Sequence, residues 1–172
     1  QNEPTSHNPH LAQQAALFGV YRNIGDAFLY LAGDGAYHPW LASAHEVSED
    51  GLVVTLTLRD DVTFSDGAPL TPEAVVANFE KMTDPAYGVR NSGLTSLEST
   101  SATGERTVEF RLSRPDNLFL AFLASVYAAP ISPASLAGDL DALRSGTDIA
   151  LTGPFTVAGY EQGNQLVLAK RT

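Results

Sequence analysis

Two short runs in this chain alternate apolar and polar side chains with the period of a strand that buries one face. Leu52, Val54, Leu56 and Leu58 interleave with Val53, Thr55 and Thr57, and Val108, Phe110 and Leu112 with Thr107, Glu109 and Arg111. Successive strand side chains point to opposite faces, so each run offers an apolar edge that must be covered from elsewhere in the chain. Turn chemistry brackets both runs. Ser48-Glu49-Asp50-Gly51 precedes the first and its Asp-Gly pair tolerates the positive φ of a tight hairpin, Gly104 precedes the second, and Asp66-Gly67 marks a further turn.

Helical spacing supplies the cover. Thr71-Pro72-Glu73 has a capping hydroxyl, a proline suited to the first helical position and an early carboxylate that complements the helix dipole. Val75, Val76, Phe79 and Met82 then form one apolar face, and Asp84-Pro85 ends the helix, so Pro72–Met82 is predicted helical. Ala16, Leu17, Val20, Tyr21 and Ile24 recur at spacings of three and four, which predicts a helical stretch within Leu11–Tyr30. Leu118, Phe119, Phe122 and Leu123 mark a short buried helix. Gln1–His10 is expected to be extended, and Phe155–Val157 with Gln165–Leu168 to form a last strand pair around Gly159–Gly163. Strands and helices mix without a regular β-α-β beat, so the predicted class is α/β in the mixed, α+β sense.

Bulk properties exclude several functions. Acidic residues number 20 against 10 basic ones, for a net charge of −10, and such a surface repels phosphate backbones, so no nucleic-acid partner is expected. There is no cysteine, which removes disulfides, thiolate metal sites and a cysteine nucleophile. The best apolar run, Phe119–Val126, is far too short to span a membrane. No G-x-S-x-G elbow, H-E-x-x-H, phosphate-binding loop or dinucleotide fingerprint occurs, and the side chains of the adjacent pair Asp60-Asp61 diverge in an extended strand; the chain is predicted not to be an enzyme and to need no cofactor. His7 and His10 are three apart, but in an extended segment that spacing does not put both rings on one face, so no metal site is predicted there.

One stretch says more than its periodicity. Pro39-Trp40-Leu41-Ala42, then Val47-Ser48-Glu49-Asp50-Gly51-Leu52, then Leu58-Arg59-Asp60-Asp61-Val62-Thr63-Phe64-Ser65-Asp66-Gly67-Ala68-Pro69 closely resembles the signature of the family 5 solute-binding proteins of bacterial ABC importers, the oligopeptide, dipeptide and nickel binders. Glu3-Pro4-Thr5-Ser6-His7-Asn8-Pro9 resembles that family's first ligand-side segment, and Thr152-Gly153-Pro154-Phe155 its G-T-G-P-Y strand entry.

The resemblance implies the N-terminal portion of a periplasmic-binding-protein-like two-lobe fold, a mixed sheet with flanking helices. Residues 1–42 with 152–172 would belong to the main ligand-binding lobe and 44–151 to a subdomain inserted in it, with the second lobe absent. Trp40 and Phe64 are expected in the core and Arg59 in an ion pair with a neighbouring acid. The ligand contacts implied are the strand-like Glu3, Pro4 and Thr5, which would pair with a peptide along its backbone, and Tyr87 and Arg90 on a loop facing the cleft. The implied function is capture of an extracytoplasmic oligopeptide or dipeptide by a monomeric protein, for delivery to ABC permease subunits. Its place would be the periplasm, or the outer face of the cytoplasmic membrane under a lipid anchor. The alternative within the family is a nickel or metal-chelate binder, against which stands Ala128-Ala129 where a cleft arginine is expected.

Overall fold

The computed structural model describes residues 6–11, 18–145, 149–161 and 164–171. Among the described residues, eight strands and five α-helices are arranged in a mixed α/β fold. The strands are β1 (Leu29–Leu31), β2 (Tyr37–Pro39), β3 (Ala42–Val47), β4 (Val53–Leu58), β5 (Leu97–Ala102), β6 (Thr107–Leu112), β7 (Phe155–Glu161) and β8 (Gln165–Lys170). The helices are α1 (Phe18–Ile24), α2 (Pro72–Thr83), α3 (Asn117–Leu123), α4 (Pro133–Leu136) and α5 (Leu140–Ser145). A four-stranded sheet in the order β3-β4-β6-β5 is flanked by the two-stranded pairs β1-β2 and β7-β8. Every described ladder is antiparallel, so the mixing lies between helices and sheets and not between strand directions.

The two alternating runs become the central strands β4 and β6, paired from Val53↔Arg111 to Thr57↔Thr107. Their inward sets, Val54, Leu56 and Leu58 with Val108, Phe110 and Leu112, are all buried. The hairpin into β4 turns at Gly51, whose φ of +71° is the left-handed conformation that the Asp-Gly pair anticipates. Helix α2 lies against β5 and β6. Its first turn is held by the Thr71 hydroxyl, which accepts from Ala74 N at 3.2 Å, with Pro72 just inside the helix. Phe79 is the hub of the core, with its ring 4.7 Å from Phe110 and about as near to Phe28, Phe119 and Phe122 as aromatic packing requires. A second cluster joins Tyr21 and Ile24 of α1 to Val126, Ala129, Ile131, Leu136 and Leu151.

Helix α1 falls within the expected stretch and ends at Ile24, with Ala16 and Leu17 outside the described residues, while Leu29–Leu31 beyond it is a strand because it pairs with Tyr37–Pro39. Two expectations are corrected. Pro9–Leu11 is a 3₁₀ turn, not extended, closed by Leu11 N donating to Asn8 O at 3.1 Å. Trp40 is not a core residue. It is 52% exposed, with its indole N–H donating to Asp26 Oδ1 at 3.0 Å and its ring 6.4 Å from that of Tyr30, also exposed. The β1-β2 ribbon has only two strands, so nothing in the described residues closes over its outer aromatic face. Phe64 is fully buried as expected, and Arg59 pairs with Asp61 through two hydrogen bonds of 2.8 and 2.6 Å at the surface.

Candidate ligand-facing site

Glu3, Pro4 and Thr5 lie outside the described residues, but the segment that follows them is tied to the body of the protein at every step. Ser6 O accepts from the Tyr21 hydroxyl at 2.7 Å, and Ser6 Oγ accepts from Asn8 N at 3.0 Å. Asn8, fully buried, accepts from His10 N at Oδ1 (2.9 Å) and donates from Nδ2 to Leu143 O (2.7 Å) and the Tyr87 hydroxyl (2.6 Å). His10 Nε2 is 2.8 Å from Ala129 O, and its Nδ1 is 3.3 Å from the Tyr87 hydroxyl. The turn at Pro9–Leu11 sends the two imidazoles apart. His7 packs edge-on against Tyr160 of β7, with ring centroids 4.4 Å apart, while His10 enters the core.

Burial sets the electrostatics. Desolvation lowers the His10 pKa to about 4, only partly opposed by the hydrogen bond to the Ala129 carbonyl, and it lowers His7 as well. The Tyr87 and Tyr21 phenols are pushed up to about 12 by burial, so at neutral pH the whole cluster is uncharged. Among the described residues no three His, Asp or Glu side chains gather as a metal site would require.

Tyr87 therefore stands elsewhere than a cleft-facing loop would put it. The turn after α2, closed by Tyr87 N donating to Asp84 O at 3.0 Å, swings its ring inward to 1% exposure, where the phenol finds Asn8 and His10. Arg90, past Gly88 at φ +86°, remains exposed and is not brought to this cluster. Asn8 and His10 were not singled out by sequence as a pair. Their signal was present in the turn-forming Asn-Pro-His order, but a histidine reads as a core residue only when its hydrogen-bond partners are known. A separate groove of about 260 Å³ runs beside Arg22, Asp26, Tyr30 and Trp40.

The model of the bacterial extracellular solute-binding proteins, family 5 Middle, matches residues 36–172. This chain belongs to that family. The family 5 chain is 37% identical over 131 residues to the probable D,D-dipeptide-binding periplasmic protein of Escherichia coli, an alignment covering 74% of this chain and 25% of the relative. Its fold is similar to that of the PBP AgaA of A. tumefaciens R10 in complex with agropinic acid, with a TM-score of 0.86 and 27% identity, covering 99% of this chain and 34% of the other. It is also similar to NikA of Brucella suis in complex with Fe(III)-EDTA, with a TM-score of 0.79 and 26% identity, covering 99% of this chain and 35% of that one. The family 5 chain thus spans between a quarter and about a third of the length of these relatives. Members of the family are solute-binding proteins of transport systems and not enzymes, its homologues are periplasmic, and no described helix here is long and apolar enough to cross a membrane.

Proposed function

We propose that this chain supplies one wall of the ligand cleft in the peptide-binding component of an ABC importer, which captures an extracytoplasmic oligopeptide or dipeptide and hands it to the permease subunits. The observation that carries this reading is the 37% identity to the probable D,D-dipeptide-binding periplasmic protein of Escherichia coli across 74% of the chain. Ser6–His10, fastened to the core as described, supports it. Peptide recognition by strand addition needs backbone donors and acceptors at fixed spacing, and an anchored Ser6–His10 gives the residues before it a fixed point of attachment. Glu3, Pro4 and Thr5 are the proposed backbone contacts and Arg90 an exposed side-chain contact, while Tyr87 is buried and holds Asn8 and His10.

The lobe organisation belongs to the same proposal, with residues 1–42 and 152–172 in the main lobe and 44–151 in a subdomain. Packing of α1 on β7 favours it, as does a four-stranded sheet confined to Ala42–Leu112. The protein acts as a monomer without catalytic turnover, in the periplasm or lipid-anchored outside the cytoplasmic membrane. Capture of a metal chelate is the second reading, favoured by the similarity to a protein seen with Fe(III)-EDTA. Native mass spectrometry of ligand retained by the full-length protein, followed by calorimetry with a peptide pool and with Fe(III)-EDTA, tests both. Retained peptide with micromolar or tighter peptide binding is the expected result. Chelate binding with no response to peptides would overturn the first reading in favour of the second.

A further inference from the structure

The cluster of Asn8, Tyr87 and His10 has only one consistent arrangement of protons. Ala129 O can only accept, so the His10 proton sits on Nε2 and Nδ1 is a bare lone pair. Tyr87 must then donate to Nδ1, and its oxygen accepts from Asn8 Nδ2. The second Asn8 amide hydrogen goes to Leu143 O, while Asn8 Oδ1 takes the His10 backbone N–H. Each donor has one acceptor, and the relay runs in one direction from Asn8 through Tyr87 and His10 to Ala129.

A second proton on His10 has no place in that relay. It would meet the phenol proton head-on at Nδ1, in a site where His10 is 4% exposed and Tyr87 1%. Among the described residues, the groups shown packing on the cluster are phenols, an imidazole and a lysine. Tyr87 comes from the loop after α2, Tyr21 reaches in from α1 through Ser6, and Tyr127 lies in the turn Val126–Ala128. His7 rests on Tyr160 of β7, and Lys81 Nζ lies 5.7 Å from the Tyr87 ring centroid. Among the described residues, His10 is hydrogen-bonded to Asn8 Oδ1, the Ala129 carbonyl and the Tyr87 hydroxyl, none of them a carboxylate.

We propose that Asn8, Tyr87 and His10 form an acid-sensitive latch, in which a proton on His10 detaches Ser6–His10 from the core and so weakens the hold on ligand. The three are positioning residues, since none needs to touch ligand. The effect on affinity rests on the peptide-capture reading above, whereas detachment itself does not. Opening returns the imidazole to water and to its ordinary pKa of 6.5 from about 4. The open fraction therefore rises about tenfold for each pH unit between those values.

Hydrogen–deuterium exchange of the full-length protein, read on the peptide carrying the amides of Asn8, His10 and Leu11 and corrected for intrinsic rates, tests the latch. Opening at pH 5.5 is expected about tenfold above that at pH 7.5. His10→Gln keeps a donor for Ala129 O but cannot titrate, so its opening should be flat with pH; His7→Gln should keep the rise. Calorimetry with tri-alanine at the same two pH values should show weaker binding in acid for wild type and unchanged binding for His10→Gln. A pH-independent wild type, or an equal rise in His10→Gln, overturns the latch. If His10→Gln does not fold, the wild-type profile alone decides it. A tenfold rise with no tri-alanine binding at either pH leaves the latch standing and counts against peptide capture.

Discussion

The side chain of Asn78 occupies both backbone hydrogen-bonding groups of Ile131: Nδ2 donates to the Ile131 carbonyl at 2.8 Å and Oδ1 accepts from its N–H at 2.8 Å. Both residues are fully buried, and the remaining Asn78 hydrogen goes to Ala74 O one helical turn back, also at 2.8 Å. Helix α2 is thereby joined to a segment that belongs to no described strand, and the amide takes the place of a neighbouring strand.

Asn78→Ala should therefore cost far more than the loss of a side chain of that size. It strands a buried N–H and a buried carbonyl, at about 1–3 kcal/mol for each unsatisfied group. A loss of about 2–4 kcal/mol is expected, seen as a lower urea midpoint with an unchanged slope. Asn78→Asp should be at least as damaging, because it aims an anion at two carbonyls.

Arg171 performs a similar task at the end of β8. Its guanidinium donates to Thr63 O at 2.8 Å, Phe64 O at 2.7 Å and Thr152 O at 3.2 Å, tying the last hairpin to the signature loop and to the entry of β7. A lysine has one point of donation where this site uses a planar fork. Arg171→Lys is expected to recover little of the roughly 1–3 kcal/mol lost in Arg171→Ala, with thermal unfolding of both variants as the measurement.

Gly153 is required by closeness. Its φ is not in the left-handed region, yet an added Cβ would meet the backbone of Ile24 and lie 2.7 Å from Gly25 N, where Gly153 N already donates to Ile24 O at 3.0 Å. Backbone cannot move aside as a flexible side chain can. Gly153→Ala should destabilise by about 1–3 kcal/mol or more, while Gly33→Ala, with open space at its Cβ, should show no comparable drop in melting temperature.

The pH dependence of global stability follows from His10. Its folded pKa lies below the unfolded value, so the unfolded chain binds the proton more readily and acid favours unfolding. This contribution is intact above pH 6.5 and is lost as the pH falls from 6.5 towards 4. Between pH 7.5 and 4.5, wild type should lose about 2–3 kcal/mol more than His10→Gln, as measured by urea unfolding at each pH.

What the sequence by itself determined is what local chemistry determines. Thr71 and Pro72 start α2 because a hydroxyl and a fixed φ act within one helical turn. Asp50-Gly51 turns the hairpin, and β4 and β6 announce themselves because central strands bury one full face. The signature from Leu58 to Pro69 identified the family for the same reason, being a run of adjacent residues.

Tertiary structure alone decided the rest. The edge strands β3 and β5 read as Ala-Ser-Ala-His-Glu-Val and Leu-Glu-Ser-Thr-Ser-Ala; each has one hydrogen-bonded neighbour and largely unburied side chains, so no alternation marks them. Trp40 and Tyr87 exchanged their expected places, the indole outside and the phenol inside. An aromatic ring goes where partners distant in sequence cover it, and Asn8 and His10 provide that cover for Tyr87 while the two-stranded β1-β2 ribbon provides none for Trp40. The roles of Gly153, Asn78 and His10 were hidden for the same physical reason: each is set by a backbone group that folding brings near and that the order of residues does not reveal.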